Sequence, residues 1–199
     1  MDAKEIAKYL LRKINENIES GVQEEQLEEF VKILIEAYKN KKIIGVVGAG
    51  RSGLVAKSFA MRLMHLGFNV FVIGETITPS LKSGDVLLAV SGSGETTFTV
   101  SAASVAKRIG AKVISLTSYP NSRLGELSDV KVVVPGRVAK ASDDDYFSRQ
   151  LLGIHEPLAP LGTLFELSTG VLLDAVVVEL MEVLNIKERD MMEKHATIE

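Results

Sequence analysis

Residues 43–53 read Ile-Ile-Gly-Val-Val-Gly-Ala-Gly-Arg-Ser-Gly, and residues 86–96 read Val-Leu-Leu-Ala-Val-Ser-Gly-Ser-Gly-Glu-Thr. Each is an apolar run of strand length that breaks into glycines and then enters a helical pattern. Strands that are apolar throughout, each followed by a helix, are the units of a parallel sheet covered on both faces. Working outward, Val/Ile-rich runs at 69–73, 112–116 and 131–134 join 43–47 and 86–90 to give five strands. Helices are expected at 51–66 and 95–109, with a short turn near 124–127. Upstream, Ile6, Tyr9, Leu10, Ile14 and Ile18, then Leu27, Phe30, Val31, Leu34, Ile35 and Tyr38, recur at helical spacing and predict two helices over 3–38, parted at Ser20-Gly21. Downstream, a polar connection with Asp143, Asp144 and Asp145 fills 137–160 and leads into a long helix over 161–183.

These elements suit an α/β fold: a five-stranded parallel sheet of flavodoxin-like order 2-1-3-4-5 with helices on both faces. One domain over 1–199 is expected, with a helical lead (1–40), a sheet core (41–136), a C-terminal helix (160–185) and a tail (186–199). In that order the carboxyl ends of the first and third strands lie side by side, where open α/β sheets bind ligands.

Composition narrows the function. With 46% hydrophobic and 25% charged residues, the 199-residue chain is an ordinary globular protein. The absence of cysteine removes disulfides, thiolate metal sites and a cysteine nucleophile. A net charge of -3 with no Lys/Arg run argues against nucleic-acid or membrane partners and for a small molecule. Asp2 and Glu5 do not suit a secretory leader, so a cytoplasmic location is expected. The most apolar stretch, 170–181, is interrupted by Asp174 and Glu179 and is too short to span a bilayer.

Gly48-Ala49-Gly50-Arg51-Ser52-Gly53 fits the dinucleotide pattern G-x-G-x-x-G, with an acid, Glu75, downstream. The physical content of such a loop is a tight backbone turn that presents helix N-terminal amides to a phosphate. The second loop, Ser91-Gly92-Ser93-Gly94-Glu95-Thr96, brings three hydroxyls as well. A dinucleotide fold has no need of it, whereas hydroxyls and amides together can surround the terminal oxygens of one phosphomonoester. The competing reading is that Ser93 caps the helix and the glycines merely turn. No G-K-[ST] follows the glycines, so neither loop is a P-loop.

The Gly-Ala-Gly-Arg-Ser run at 48–52, the loop at 91–96 and the two leading helices resemble the sugar-isomerase (SIS) domain, a phosphosugar-binding α/β module. Within it the likeness is nearest to the 6-phospho-3-hexuloisomerases, through residues 61–67 (MRLMHLG), 74–76 (GET), 160–166 (PLGTLFE) and 195–199 (HATIE). Related loops often carry Gln where this sequence has Gly92, so only backbone can serve there. The resemblance implies interconversion of D-arabino-hex-3-ulose 6-phosphate and fructose 6-phosphate through an enediolate, a step of the ribulose monophosphate pathway of formaldehyde assimilation or its reverse. It implies no redox cofactor and no metal, and a homo-oligomer, usually a tetramer.

Such a reaction needs a phosphate anchor, a base and a group that moves protons between oxygens. The anchor falls on Ser91, Gly92, Ser93, Gly94 and Thr96, with Gly50 and Ser52 from the neighbouring loop; Glu95 is weighted towards the helix dipole rather than the substrate. Arg51 is expected to stabilise the enediolate or hold a hydroxyl, against a surface ion pair as the alternative. Glu166 is the expected base. At ~100° per residue, Gly162, Thr163, Glu166, Thr169 and Gly170 form a small, polar stripe on an otherwise apolar helix, and partial burial would suit the carboxylate to proton abstraction. The alternative is a buried Glu paired with a basic residue at a subunit contact. Of three histidines, His195 in the matched tail is expected to move protons, with a neighbouring subunit's site as one destination, and His65 is a second candidate against a packing role; His155 reads as structural or exposed. A phosphosugar sensor, an isomerase of pentose or heptose phosphates and an NAD oxidoreductase remain as other readings.

Overall fold

The computed structural model describes residues 2–136 and 162–195. In chain order the elements are α1 (Ala3–Gly21), α2 (Glu24–Lys39), β1 (Ile43–Gly48), α3 (Gly50–Leu66), β2 (Asn69–Val72), β3 (Val86–Val90), α4 (Thr97–Arg108), β4 (Lys112–Thr117), α5 (Arg123–Leu127), β5 (Val130–Val133), α6 (Thr163–Leu184) and α7 (Glu188–Met192). The five strands are parallel and ordered β2-β1-β3-β4-β5. The expected connection over 137–160 lies outside the described residues, as does His155.

Strand alternation divides the interior. Ile44, Val46, Leu88, Val90, Ile114, Leu116 and Val132 face a large cluster completed by Phe30 and Leu34 of α2, Phe59 and Leu63 of α3, and Phe165, Leu173 and Leu180 of α6. The other face carries Val47, Leu87, Ala89 and Val113 against Ala103 and Ala106 of α4 and Leu124 of α5. Alanines let α4 sit close to the sheet. Because the β1–α3–β2 crossover covers one face and the β3–α4–β4 crossover the other, the chain reverses direction across the sheet between β1 and β3. Both glycine loops leave the sheet at that point, since Gly48 pairs in register with Val90.

The leading helices are not parted at Ser20-Gly21, as the sequence suggested. The first runs through Gly21, and the chain turns at Val22 and Gln23. A Cβ at Gly21 would stand 2.1 Å from Pro135 Cγ, so the glycine is there for close packing rather than for a break. Asp2 and Glu5 form a capping box that starts α1. Asn17 donates to the Pro135 carbonyl and to Ser168 Oγ, both at 3.2 Å, and Ile14 packs on Leu164, which ties α1 to α6. The tail contains one element that periodicity did not suggest, α7, started by the Lys187 amide donating to Asp190 Oδ2 at 2.8 Å.

Candidate active site

The first loop is shaped by two glycines that touch. A Cβ at Gly48 would lie 2.9 Å from Gly53 Cα, and one at Gly53 would lie 2.9 Å from the Gly48 carbonyl oxygen. They bring α3 against the end of β1. Gly50 has φ +55°, a left-handed conformation that favours glycine, and open space where a side chain would stand, so the turn presents bare backbone. Ala49 supplies no side-chain cap to α3, and the first amides of the helix point out of the sheet's carboxyl edge without one. Glu75, the acid of the dinucleotide pattern, is paired with Lys57.

The second loop is more tightly built. Ser91 and Ser93 are buried, Ser91 Oγ donates to Thr96 Oγ1 at 3.2 Å, and the Gly94 amide donates to the Ser91 carbonyl at 3.0 Å. Ser93 Oγ accepts from the Glu95 amide at 3.3 Å, while the N-cap of α4 is Thr96, again without a side-chain cap bond. The carbonyls of the loop are held from the β4–α5 side. Ser118 N–H donates to Gly92 O at 3.1 Å, Leu124 N–H to Gly94 O at 3.0 Å, and Arg123 Nη2 to Glu95 O at 3.0 Å. Oxygens that would repel an anion are thus already bonded, and the helix amides remain for it.

Glu166 lies in the first turn of α6, buried, and accepts from Arg51 Nε at 2.7 Å. The two partners differ in freedom: the Glu166 side chain is 8% exposed and that of Arg51 57%. Gly170, one turn on, has open space where a Cβ would be. The basic partner therefore comes from this chain's own first loop, with more than half of its side chain open to solvent.

His65 and His195 form a second group. His65 is 3% exposed near the end of α3, and its ring stacks on that of His195 with centroids 5.2 Å apart and planes 27° from parallel. They line a cleft of about 550 Å³ with Arg62, Asp174, Glu188 and Met192. Fourteen residues of α3 separate Arg51 from His65, about 21 Å along the axis at 1.5 Å per residue. Within one chain the histidines do not reach Glu166. Among the described residues no group of three or more His, Asp or Glu is arranged to hold a metal ion.

The SIS-domain family model matches residues 37–142, just over half of the chain. The chain belongs to the SIS-domain family. Over 195 residues this SIS domain is 54% identical to an uncharacterised protein of Aeropyrum pernix, covering 98% of this chain and 90% of that one. It is 35% identical to the 3-hexulose-6-phosphate isomerase of Bacillus subtilis over 193 residues, 96% of this chain and 97% of that one. Among solved structures, it matches a Methanococcus jannaschii protein whose structure infers a function of 3-hexulose-6-phosphate isomerase, with TM-score 0.75 and 30% identity, covering 98% and 97% of the two chains.

Of the residues singled out in the sequence, this SIS domain brings together Gly50, Arg51 and Ser52 with Glu166, and sets Ser91, Gly92, Ser93, Gly94, Glu95 and Thr96 beside them across the β1–β3 pair. It brings His65 to His195 and leaves both remote from that cluster. Sequence reading missed Arg123, Ser118 and Ser122, which support the second loop from the next crossover. Nothing in their spacing could have marked them, since they meet the loop only after β4 pairs with β3.

Proposed function

We propose that this SIS domain is a 6-phospho-3-hexuloisomerase interconverting D-arabino-hex-3-ulose 6-phosphate and fructose 6-phosphate, and that it does so in the cytoplasm as part of ribulose monophosphate chemistry. One observation carries the reading: a buried carboxylate, Glu166, paired with a solvent-exposed arginine of a phosphate-type loop, at the edge where two helix N-termini without side-chain caps converge. Ser91, Gly92, Ser93, Gly94 and Thr96 form the phosphate anchor through the hydroxyls of Ser91, Ser93 and Thr96 and the first amides of α4, the Ser91 and Gly94 amides being already engaged by the Leu116 and Ser91 carbonyls, with Gly50 and Ser52 closing the other side. Glu95 serves the loop rather than the sugar.

With the ester group anchored, the reacting carbons are held near Glu166. Glu166 removes the C2 proton of the 3-ketose, or the C3 proton of fructose 6-phosphate in reverse. The resulting enediolate is stabilised by the Arg51 guanidinium, which exchanges its carboxylate partner for the developing oxyanion. Return of the proton to the other carbon, and a proton shift between O2 and O3, complete the isomerisation without net redox change. Such a shift needs a group that can both accept and donate a proton, and the imidazoles of His65 and His195 are the candidates. Given their distance from Glu166 in one chain, they act at the site of a neighbouring subunit. Exposed Leu54 and Met61 of α3 and Leu167, Val171 and Val178 of α6 form an apolar face for such a neighbour, in a homo-oligomer that we take to be a tetramer.

Incubation with fructose 6-phosphate in deuterated water, followed by proton NMR, tests the reading. Loss of the C3 proton signal with appearance of the 3-ketose is expected. Binding without exchange would instead assign a sensor, and exchange only with pentose or heptose phosphates would reassign the substrate.

A further inference from the structure

The second loop contains a contradiction that the phosphate reading must resolve. Glu95 places a carboxylate inside the segment that holds a dianion, two residues before the first residue of α4. A phosphate and this carboxylate want the same thing, the positive end of α4, and each disfavours the other. The structure answers with Arg123. Its backbone N–H donates to Glu95 Oε1 at 3.0 Å, its Nε to Glu95 Oε2 at 2.7 Å and its Nη2 to the Glu95 carbonyl at 3.0 Å. Both carboxylate oxygens and the adjacent carbonyl are therefore drawn towards α5.

The position of Arg123 is not explained by its own helix. It is the first residue of α5, a helix of five residues, where a cation opposes the dipole rather than complementing it. Its side chain is 59% exposed and fills no core space. Its contacts are instead with Glu95, whose side chain is 28% exposed and which Arg123 meets on both oxygens.

We propose that Arg123 is a positioning residue for phosphate binding: it neutralises Glu95 and turns that residue's oxygens away from the anion. The inference rests on the loop at 91–96 being the phosphate anchor. It makes a claim that simple bracing of the loop does not. If Arg123 only held the loop in shape, its loss could not be repaired by deleting a second contact. If it cancels a charge, removing the charge repairs much of the damage.

The variants are R123M, R123K and the double E95Q/R123M. Calorimetric Kd values for inorganic phosphate and for fructose 6-phosphate, together with kcat and KM for isomerisation, are measured at 20 mM and 500 mM salt. R123M is expected to weaken phosphate binding and raise KM about tenfold at low salt with kcat within about twofold, and the defect shrinks at high salt as the Debye length falls. The double variant is expected to recover most of the lost affinity. R123K keeps a cation without the forked geometry and is expected to lose about threefold; it carries the comparison should R123M fail to fold. Wild-type affinity in both R123M and R123K, or a double variant as weak as R123M, overturns the inference while leaving the phosphosugar reading intact. A wild-type protein that binds neither phosphate nor fructose 6-phosphate overturns both.

Discussion

Replacing Glu166 by Gln separates chemistry from folding more cleanly than any other single change. Among the described residues Glu166 accepts one hydrogen bond, from Arg51 Nε at 2.7 Å, and its side chain is 8% exposed. The Gln carbonyl occupies nearly the same position and still accepts that bond, so the fold loses only the difference between a charge-assisted and a neutral hydrogen bond, about 1 kcal/mol. Against an exposed arginine even that is an upper figure, because solvent screens the pair. The reaction loses much more. An amide has no basicity to accept a carbon-bound proton, and a positioned base is worth ~10²–10⁴ in rate, or about 3–5 kcal/mol of barrier at 1.36 kcal/mol per tenfold. The assay is washout of the fructose 6-phosphate C3 proton in deuterated water, run beside a thermal melt. E166Q should melt within a few degrees of wild type, bind fructose 6-phosphate with similar affinity and exchange about a hundredfold slower or worse. E166D keeps the charge but withdraws it by one methylene, and should fall between the two. An E166Q protein that exchanges at the wild-type rate refutes Glu166 as the base, and the mechanism built on it fails.

Gly94 has φ +65°, and a Cβ there would stand 1.9 Å from Ser122 Oγ and 2.5 Å from Ser122 Cβ. Gly94→Ala should therefore cost about 1–2 kcal/mol for the left-handed backbone plus a clash term of its own; S122G removes both clashing atoms for a few tenths of a kcal/mol of lost α5 cap, so the double variant should be more stable than G94A by urea melts, and no rescue would contradict the geometry. Burial pushes the Asp129 carboxyl up, but the Lys107 ammonium and the Val113 amide outweigh it and hold it below its ordinary value of 3.8. A lowered folded pKa contributes stability that is full above the unfolded value and is lost as pH falls through the folded one, so D129N should be less stable than wild type at pH 7, with the gap closing below about pH 4; a gap independent of pH would count against the linkage. Finally, inactive E166Q and H65N/H195N proteins, unfolded together and refolded, should regain activity if histidines serve a neighbour's Glu166; a mixture no more active than its parts would return the histidines to a packing role.

The fold was legible because its central strands are apolar throughout, whereas its leading helices are apolar along one face only. Runs such as Val86–Val90 have no polar position to confuse with a surface, and the structure reproduces that strand at both ends. The errors came where a residue type carried two meanings. Gly21 looked like a helix stop and is a contact surface for Pro135. The tail helix α7 is five residues with none buried, too short for a period to show.

The same distinction decides how much of the site could be read. Glycine loops, hydroxyls and the polar stripe on α6 are local signals, each visible within a turn of chain, and they point to one edge of the sheet. What local patterns do not carry is partnership. Glu95 looked like a residue placed for its own helix; it is instead engaged by Arg123, 28 positions away, through β4. Glu166 looked like a carboxylate with room around it; it is held by Arg51 until something competes for the guanidinium. Both acids in this region are thus occupied, one by an arginine on a short helix and the other by an arginine at the start of a loop helix. A phosphosugar can tell them apart. On the proposed mechanism the phosphate has no use for Arg123 while Glu95 holds both arms of the fork, but the enediolate oxygen would offer Arg51 a replacement for Glu166 at the moment when Glu166 takes up a proton and gives up its charge. On that mechanism, transfer of charge from carboxylate to oxyanion and transfer of the arginine from one to the other would be a single event. It follows that Arg51→Met should depress kcat more than it raises KM, the reverse of the pattern expected at Arg123.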